Sequence, residues 1–383
     1  MMLPVITLLC GSVLIGPVHA DVDHSDLSRD QWALEHMDVP EAWDDSRGTG
    51  ARVALLDTGV HAEHPDLGGA VLEETDVTGQ ELGPEDGEFG AHGTMMAGII
   101  AARGHGREHD GGVFGVAPEA GLVSIRIAAD TDEASAGDAA DADEDWVVSG
   151  IEHAVAENAQ VILLAQGATG SEAEEEAIEA AHTRGVLVVV PGDGPHADTP
   201  HTVSVAAVDD QQQLLNNAID DAAEDMAGEA RTADAVSLAA PGQDVITTDL
   251  EGGFTDATGT SAAGALVTGV AALIRSEYPQ LRPEDVTAAL ETGVDAPPAA
   301  SDGEEAAPEY GAGVLNASAA LQAADDAAAN VPPFDPALAE DSASERPWLL
   351  WNAIAAAVVL FVGTVWLALR LRRRGGSRRA RRG

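Results

Sequence analysis

Lysine is absent from all 383 residues, and each of the 19 basic side chains is an arginine. Eight of these arginines crowd into residues 370–383, so the 369 residues before them carry 11 arginines against all 66 acids. The formal net charge is −47. A surface of that sign repels phosphate backbones and excludes a DNA or RNA partner. It suits a high-salt medium, where self-repulsion is screened, and it equally suits an acidic exported domain. Cysteine occurs once, at Cys10. That excludes disulfides within the rest of the chain and any cysteine-based metal centre. The HExxH word is missing as well. HAEH at 61–64 and HGREH at 105–109 have ligand-like spacing, but isolated surface histidine pairs are commoner than metal sites. No metal site and no cofactor is expected, and no repeat is visible.

The two ends are built for a membrane. Residues 1–20 form a short apolar run ending in Val18-His19-Ala20, which suits a signal peptide cleaved before Asp21. Residues 348–369 are 22 residues without a charge. At about 1.5 Å per residue they span a bilayer core, and Trp348, Trp351 and Trp366 stand near the ends as interfacial anchors. The arginine cluster that follows belongs in the cytoplasm, which puts the acidic body outside. The expected organisation is a signal peptide (1–20), an N-terminal extension (21–45), a catalytic domain (46–325), a linker (326–347), one transmembrane helix (348–369) and an arginine-rich cytoplasmic tail (370–383). The predicted location is the cell membrane, crossed once.

Between the ends, RVALLD (52–57), LVSIRI (122–127), VILLAQ (161–166), VLVVVP (186–191) and TVSVAAV (202–208) read as strands. They are apolar along their length, as strands covered on both faces are. Residues 92–103, 146–158 and 171–184 read as helices, and Pro283 opens another in the favoured first turn. Such alternation predicts an α/β domain with a mainly parallel sheet flanked by helices, with its site at the carboxyl ends of strands. Residues 128–145 and 209–235 read as polar surface insertions.

Three residues carry a possible chemistry. Asp57 ends a hydrophobic strand. His92 stands at a helix start in GAHGTMMAGIIAA, and Ser261 stands at another in ATGTSAAGALVTGVAALI. A serine hydroxyl is a poor nucleophile until an imidazole takes its proton and a buried carboxylate fixes that imidazole's tautomer. Taken singly, each has a structural explanation: a turn residue, a capped helix start and a helix N-cap.

Together they resemble the subtilisin-like serine proteases, or subtilases. The resemblance lies in DTGV at 57–60, HPDL at 64–67, HGTMMAGIIAA from His92, GVAPEA at 115–120, LAAPG at 238–242 and GTSAA around Ser261, in the order Asp, His, Ser. It implies a subtilisin-like fold and a polypeptide substrate, with Asp57 orienting, His92 acting as base and Ser261 attacking the peptide carbonyl. The stretch from Arg29 through Val60, the closing YGAGVLNASAAL at 310–321 and the two membrane-facing ends are similar to the mycosins. These are membrane-anchored subtilases linked to type VII secretion in actinobacteria. That likeness implies a secretion complex as a partner and an N-terminal extension that wraps the domain.

The resemblance also exposes departures. Subtilases place an Asn side chain on the developing oxyanion. Here Asp193, in VVVPGDGP, stands at that position, and no Asn occurs between Asn158 and Asn216. Loss of this donor is known from subtilisin itself to cost about 10²–10³ in rate. The cleft strand, normally Ser-x-Gly, reads Ala165-Gln166-Gly167. Gln166 and Gly167 are the expected substrate-binding positions, where a peptide could add as a strand. Ala265 replaces the Pro usual four residues after the nucleophile, and Gly264 precedes it, which predicts a softened helix start. An active endopeptidase and a catalytically impaired fold that binds peptide or braces a secretion complex are both compatible with these residues.

Overall fold

A computed structural model describes residues 31–80, 82–83, 86, 89–106, 111–129, 143–215, 236–297 and 308–329. The expected signal peptide, transmembrane helix and tail lie outside the described residues, as do residues 330–347 of the expected linker and most of the two expected insertions. Residues 326–328, expected in the linker, instead continue the helix Ala317–Ala328. Among the described residues no helix is long and apolar enough to cross a membrane.

In chain order the elements are α1 (Trp32–His36), α2 (Val39–Ala42), β1 (Arg52–Asp57), β2 (Val71–Asp76), α3 (Ala91–Ala101), β3 (Arg103–His105), β4 (Gly111–Phe114), β5 (Gly121–Arg126), α4 (Glu144–Ala156), β6 (Val161–Leu164), α5 (Glu172–Thr183), β7 (Leu187–Pro191), β8 (Thr202–Val208), β9 (Leu238–Pro241), β10 (Val245–Thr248), β11 (Phe254–Ala257), α6 (Thr260–Glu277), α7 (Pro283–Thr292), β12 (Val294–Asp295), β13 (Val314–Leu315) and α8 (Ala317–Ala328). Nine strands form one sheet in the order β12-β13-β9-β8-β7-β6-β1-β5-β2. Every neighbouring pair is parallel except β12 with β13. The expected α/β fold with a mainly parallel sheet is observed.

The apolar runs are central strands because both of their faces are covered. Val53 and Leu55 of β1 enter one core, with α3, α6 and the N-terminal helices, while Ala54 and Leu56 enter the other, with α4 and α5. β6 and β7 divide in the same two-residue rhythm. After β1 the chain builds β2 and β5 on one side of that strand, then crosses to lay β6 to β9 on the other. Strand β1 therefore sits where the order reverses, the place at which open α/β sheets hold their sites.

Several boundaries differ from those read in the sequence. β6 ends at Leu164, where Ala165 N makes a last bond to Leu56 O and Gly167, with φ +85°, turns the chain away. α4 begins at Glu144, inside the acidic stretch, because Asp143 accepts a bond from Asp145 N at 2.9 Å and caps it. Residues 209–215 are a tight turn with Leu214 and Leu215 packed on the cores, not a solvated insertion. α6 starts cleanly at Thr260 and is unbroken to Glu277 despite Gly264 and Ala265.

Residues 31–45 lie on the domain. Ala33, Leu34, Met37, Val39 and Ala42 are buried in the larger core. Trp43 Nε1 donates to Val116 O at 2.8 Å, and Gln31 exchanges two bonds with the backbone of Phe114. The start of the last helix is tied to the same segment. Ala317 N donates to Met37 O at 2.7 Å, and Asn316 Nδ2 donates to Asp38 Oδ2 at 2.7 Å.

Candidate active site

Asp57 is the last residue of β1 and is 1% exposed. Its Oδ1 accepts Thr58 N at 2.7 Å. Gly90, with φ +72°, caps α3 and places His92 in the helix's first turn. His92 is thus not itself a cap. The backbone of α3 presses on the loop after β1: a Cβ on Gly93 would lie 2.1 Å from Gly59 O, so only glycine fits there. Gly93 N donates to Thr58 Oγ1 at 3.2 Å, and Thr247 and Thr248 of β10 donate to Met95 O and Thr94 O, both at 2.7 Å. These bonds aim the imidazole. His92 Nδ1 lies 2.8 Å from Asp57 Oδ1 and 2.9 Å from Oδ2. An ionised carboxylate only accepts, so Nδ1 carries the proton and Nε2 carries the lone pair.

Ser261 is the second residue of α6, and Gly259 is its N-cap. Ser261 is therefore not a helix cap. Its Oγ donates to Ala165 O at 3.2 Å, which ties the helix start to the end of β6. Ala165 N in turn donates to Leu56 O beside Asp57. Helices α3 and α6 pack side by side within one core; Asp57 stands at the carboxyl end of β1, and His92 and Ser261 stand at the N-terminal ends of these two helices. A hydroxyl at a helix N-terminus meets the positive end of the helix dipole, which favours negative charge developing there.

The structure brings the other expected positions to the same end of the sheet. Gln166 and Gly167 follow β6 directly, and a Cβ on Gly167 would lie 3.2 Å from Ala128 Cβ. Asp193 lies just after β7 and accepts a close hydrogen bond from Thr260 Oγ1, the hydroxyl next to Ser261 in sequence. That bond engages one oxygen of the Asp193 side chain at this position, where the resemblance implies a donor.

The ligand-like histidines are engaged elsewhere. His61 Nδ1 meets Leu250 O at 2.8 Å and His64 Nε2 meets Gly253 O at 2.9 Å. Burial pushes the His64 imidazole below its ordinary pKa. His105 Nδ1 pairs with buried Asp66 at 2.5 Å. His109 lies outside the described residues. Among the described residues, Glu73, His153 and Glu157 bring donor atoms within 4.8 Å of one another, at the β2 edge and the end of α4. Sequence reasoning missed Thr58, Thr260, Glu174 and His196. For Glu174 the Ser171-x-x-Glu174 spacing was a signal, because glutamate at that place turns back towards the helix start.

A profile described as the subtilase family matches residues 48–313. Thermitase from Thermoactinomyces vulgaris is 29% identical over 69% of this chain and 88% of its own. Subtilisin DY from Bacillus licheniformis is 31% identical over 72% of this chain and 92% of its own. Among solved structures, fervidolysin from Fervidobacterium pennivorans is similar with a TM-score of 0.61 and 27% identity, covering 78% of this chain and 46% of that one.

Proposed function

The chain belongs to the subtilase family of serine peptidases, and from that premise we propose that it is a membrane-anchored extracytoplasmic endopeptidase with Asp57, His92 and Ser261 as its triad. The observation that carries the reading is the Asp57–His92 pair, a buried carboxylate on Nδ1 of an imidazole in the first turn of α3. In the proposed reaction Ser261 Oγ attacks the peptide carbonyl while His92 Nε2 takes its proton. The imidazolium then returns that proton to the leaving amine, and water releases the acyl group by the same route. Asp57 holds the tautomer and stabilises the imidazolium. Gln166 and Gly167 offer the edge on which the substrate adds as a strand.

Anchoring through residues 348–369, exposure outside the cell and partnership with a type VII secretion complex are parts of the proposal that rest on sequence resemblance. Asp193 supports a second reading. Its carboxylate accepts the Thr260 hydroxyl, and an oxyanion beside it loses the usual side-chain donor. A slow enzyme, or a fold that binds peptide and braces a complex, follows from that bond.

Fluorophosphonate labelling of the full chain, beside Ser261→Ala, tests the choice at low and at molar salt. Labelling that vanishes in Ser261→Ala establishes an activated nucleophile. A folded chain that takes no label at either salt overturns the peptidase reading and leaves the binding role.

A further inference from the structure

A second carboxylate–imidazole pair lies behind the site. Glu174 is 0% exposed and His196 is 1% exposed. His196 Nε2 meets Glu174 Oε2 at 2.6 Å, and His196 Nδ1 meets Thr199 Oγ1 at 3.0 Å. The same carboxylate accepts Thr169 N at 3.1 and 3.0 Å, Thr169 Oγ1 at 2.7 Å and Gly170 N at 3.0 Å. Burial opposes ionisation of Glu174, but the bonds from His196 and Thr169 outweigh it, and the carboxyl lies below its ordinary range.

Helix capping does not account for this pair. Ser171 already caps α5, through a bond from Glu174 N. Support of the helix start needs only the bonds from Thr169 and Gly170, and the buried imidazole of His196 is a further partner. Burying a carboxylate and an imidazole costs more than filling the same space with apolar side chains, and what the polar pair adds is directional geometry. That geometry joins two segments. One is residues 165–170, which begins at Ala165, the acceptor of the Ser261 hydroxyl, and includes Gln166 and Gly167. The other is residues 192–199, which includes Asp193, the acceptor of the Thr260 hydroxyl. The segments touch where Glu174 anchors them: a Cβ on Gly170 would lie 3.0 Å from Pro195 Cβ. Thr202 Oγ1 donates to both His196 O and Thr199 O and locks the second segment onto β8.

Resting on the peptidase reading above, we infer that Glu174 and His196 are positioning residues, a buried strut that sets the separation of the segments flanking Ser261 and so the fit of a polypeptide between them. The strut touches neither the nucleophile nor the base. It acts through the backbone that receives the substrate.

The test measures binding without turnover. Full chain carrying Ser261→Ala is titrated into fluorescein-labelled casein, and fluorophosphonate labelling is followed separately in chains with Ser261 intact. His196→Ala, which cuts the link but leaves Glu174 its bonds to Thr169 and Gly170, is expected to weaken casein binding about tenfold. The small fluorophosphonate is expected to lose less than the polypeptide does. Glu174→Gln keeps the shape and the accepted N–H bonds and is expected to bind within about threefold of the parent. Unchanged casein affinity in a folded His196→Ala chain overturns the strut. So does a loss of binding and labelling in equal proportion to the folded fraction. If His196→Ala does not fold, Thr199→Val removes only the hydroxyl that orients the imidazole, and unchanged affinity there overturns the proposal. A parent that binds no casein also overturns it. A parent that binds casein but takes no fluorophosphonate sinks the peptidase reading while the strut is still decided by affinity.

Discussion

Two of the buried carboxylates that face an imidazole, Asp57 and Glu174, belong to pairs put to opposite uses. Asp57 holds Nδ1 of His92, whose side chain is 22% exposed. Glu174 holds Nε2 of His196, which is 1% exposed and has its other nitrogen on Thr199. In the first pair the carboxylate sets a tautomer and leaves a basic nitrogen on a ring that solvent reaches. In the second the ring is buried and its two nitrogens meet Glu174 and Thr199, so it links two segments of chain. The residue pair does not distinguish a base from a strut; the partner of the second nitrogen and the access to it do.

Asp57→Asn attacks that distinction most directly. An amide reverses the hydrogen bond and holds the wrong tautomer, so turnover of a peptide substrate should fall about 10⁴-fold with the folded state retained. Glu174→Ala should do the opposite. It strands a buried imidazole and the N–H groups of Thr169 and Gly170, and should cost about 3–5 kcal/mol of stability, read as a lower urea midpoint. Asp193→Asn restores the donor that the family places on the oxyanion, and kcat/KM should rise about 10²-fold. A fall on that substitution would show that the Thr260–Asp193 bond serves the reaction as it stands.

The smallest effect concerns two imidazoles that burial pushes below their ordinary value. His64 is lowered chiefly by burial, and His182 by burial and then by His201, against which it stacks at 4.1 Å. Below their ordinary value of 6.5 the unfolded chain takes up these protons before the folded one does. Stability should therefore decline as pH falls from 6.5 towards the lowered folded values, by at most about 1.4 kcal/mol per group and pH unit. Glu174 has the opposite charge type. Its contribution is present above its ordinary 4.5 and is lost as pH falls through the lowered folded value, which gives a second, more acidic limb. Urea midpoints taken across this range check both limbs; a flat profile between 7.5 and 5 would remove the first.

The parts legible in the sequence are those where one physical requirement dominates. β1, β6, β7 and β8 announced themselves because strands covered on both faces must be apolar throughout. β2 did not: VLEETD lies at the sheet edge, alternates in exposure and carries Leu72 at 52% exposed, so it lacks the continuous apolar run that marks the central strands. The start of α4 was hidden because its capping acid is one of many in an acidic stretch. At the site, the contexts of Asp57, His92 and Ser261 are contiguous words, and each side chain lies where its word places it. The Thr260–Asp193 and Glu174–His196 bonds join residues 67 and 22 apart. Glu174 belongs to a run of glutamates; its spacing from Ser171 marks a helix start, but its burial against His196 is a property of the folded chain.

The clasp between Asp38 and Asn316 makes the start of the domain depend on its far end. These partners are 278 residues apart, and Ala317 N donates to Met37 O beside them. Met37 is fully buried in the finished domain. A chain cut before residue 316 therefore loses both of these bonds to the N-terminal helices, each worth about 1 kcal/mol, and proteases should nick residues 31–45 in it before they touch the sheet.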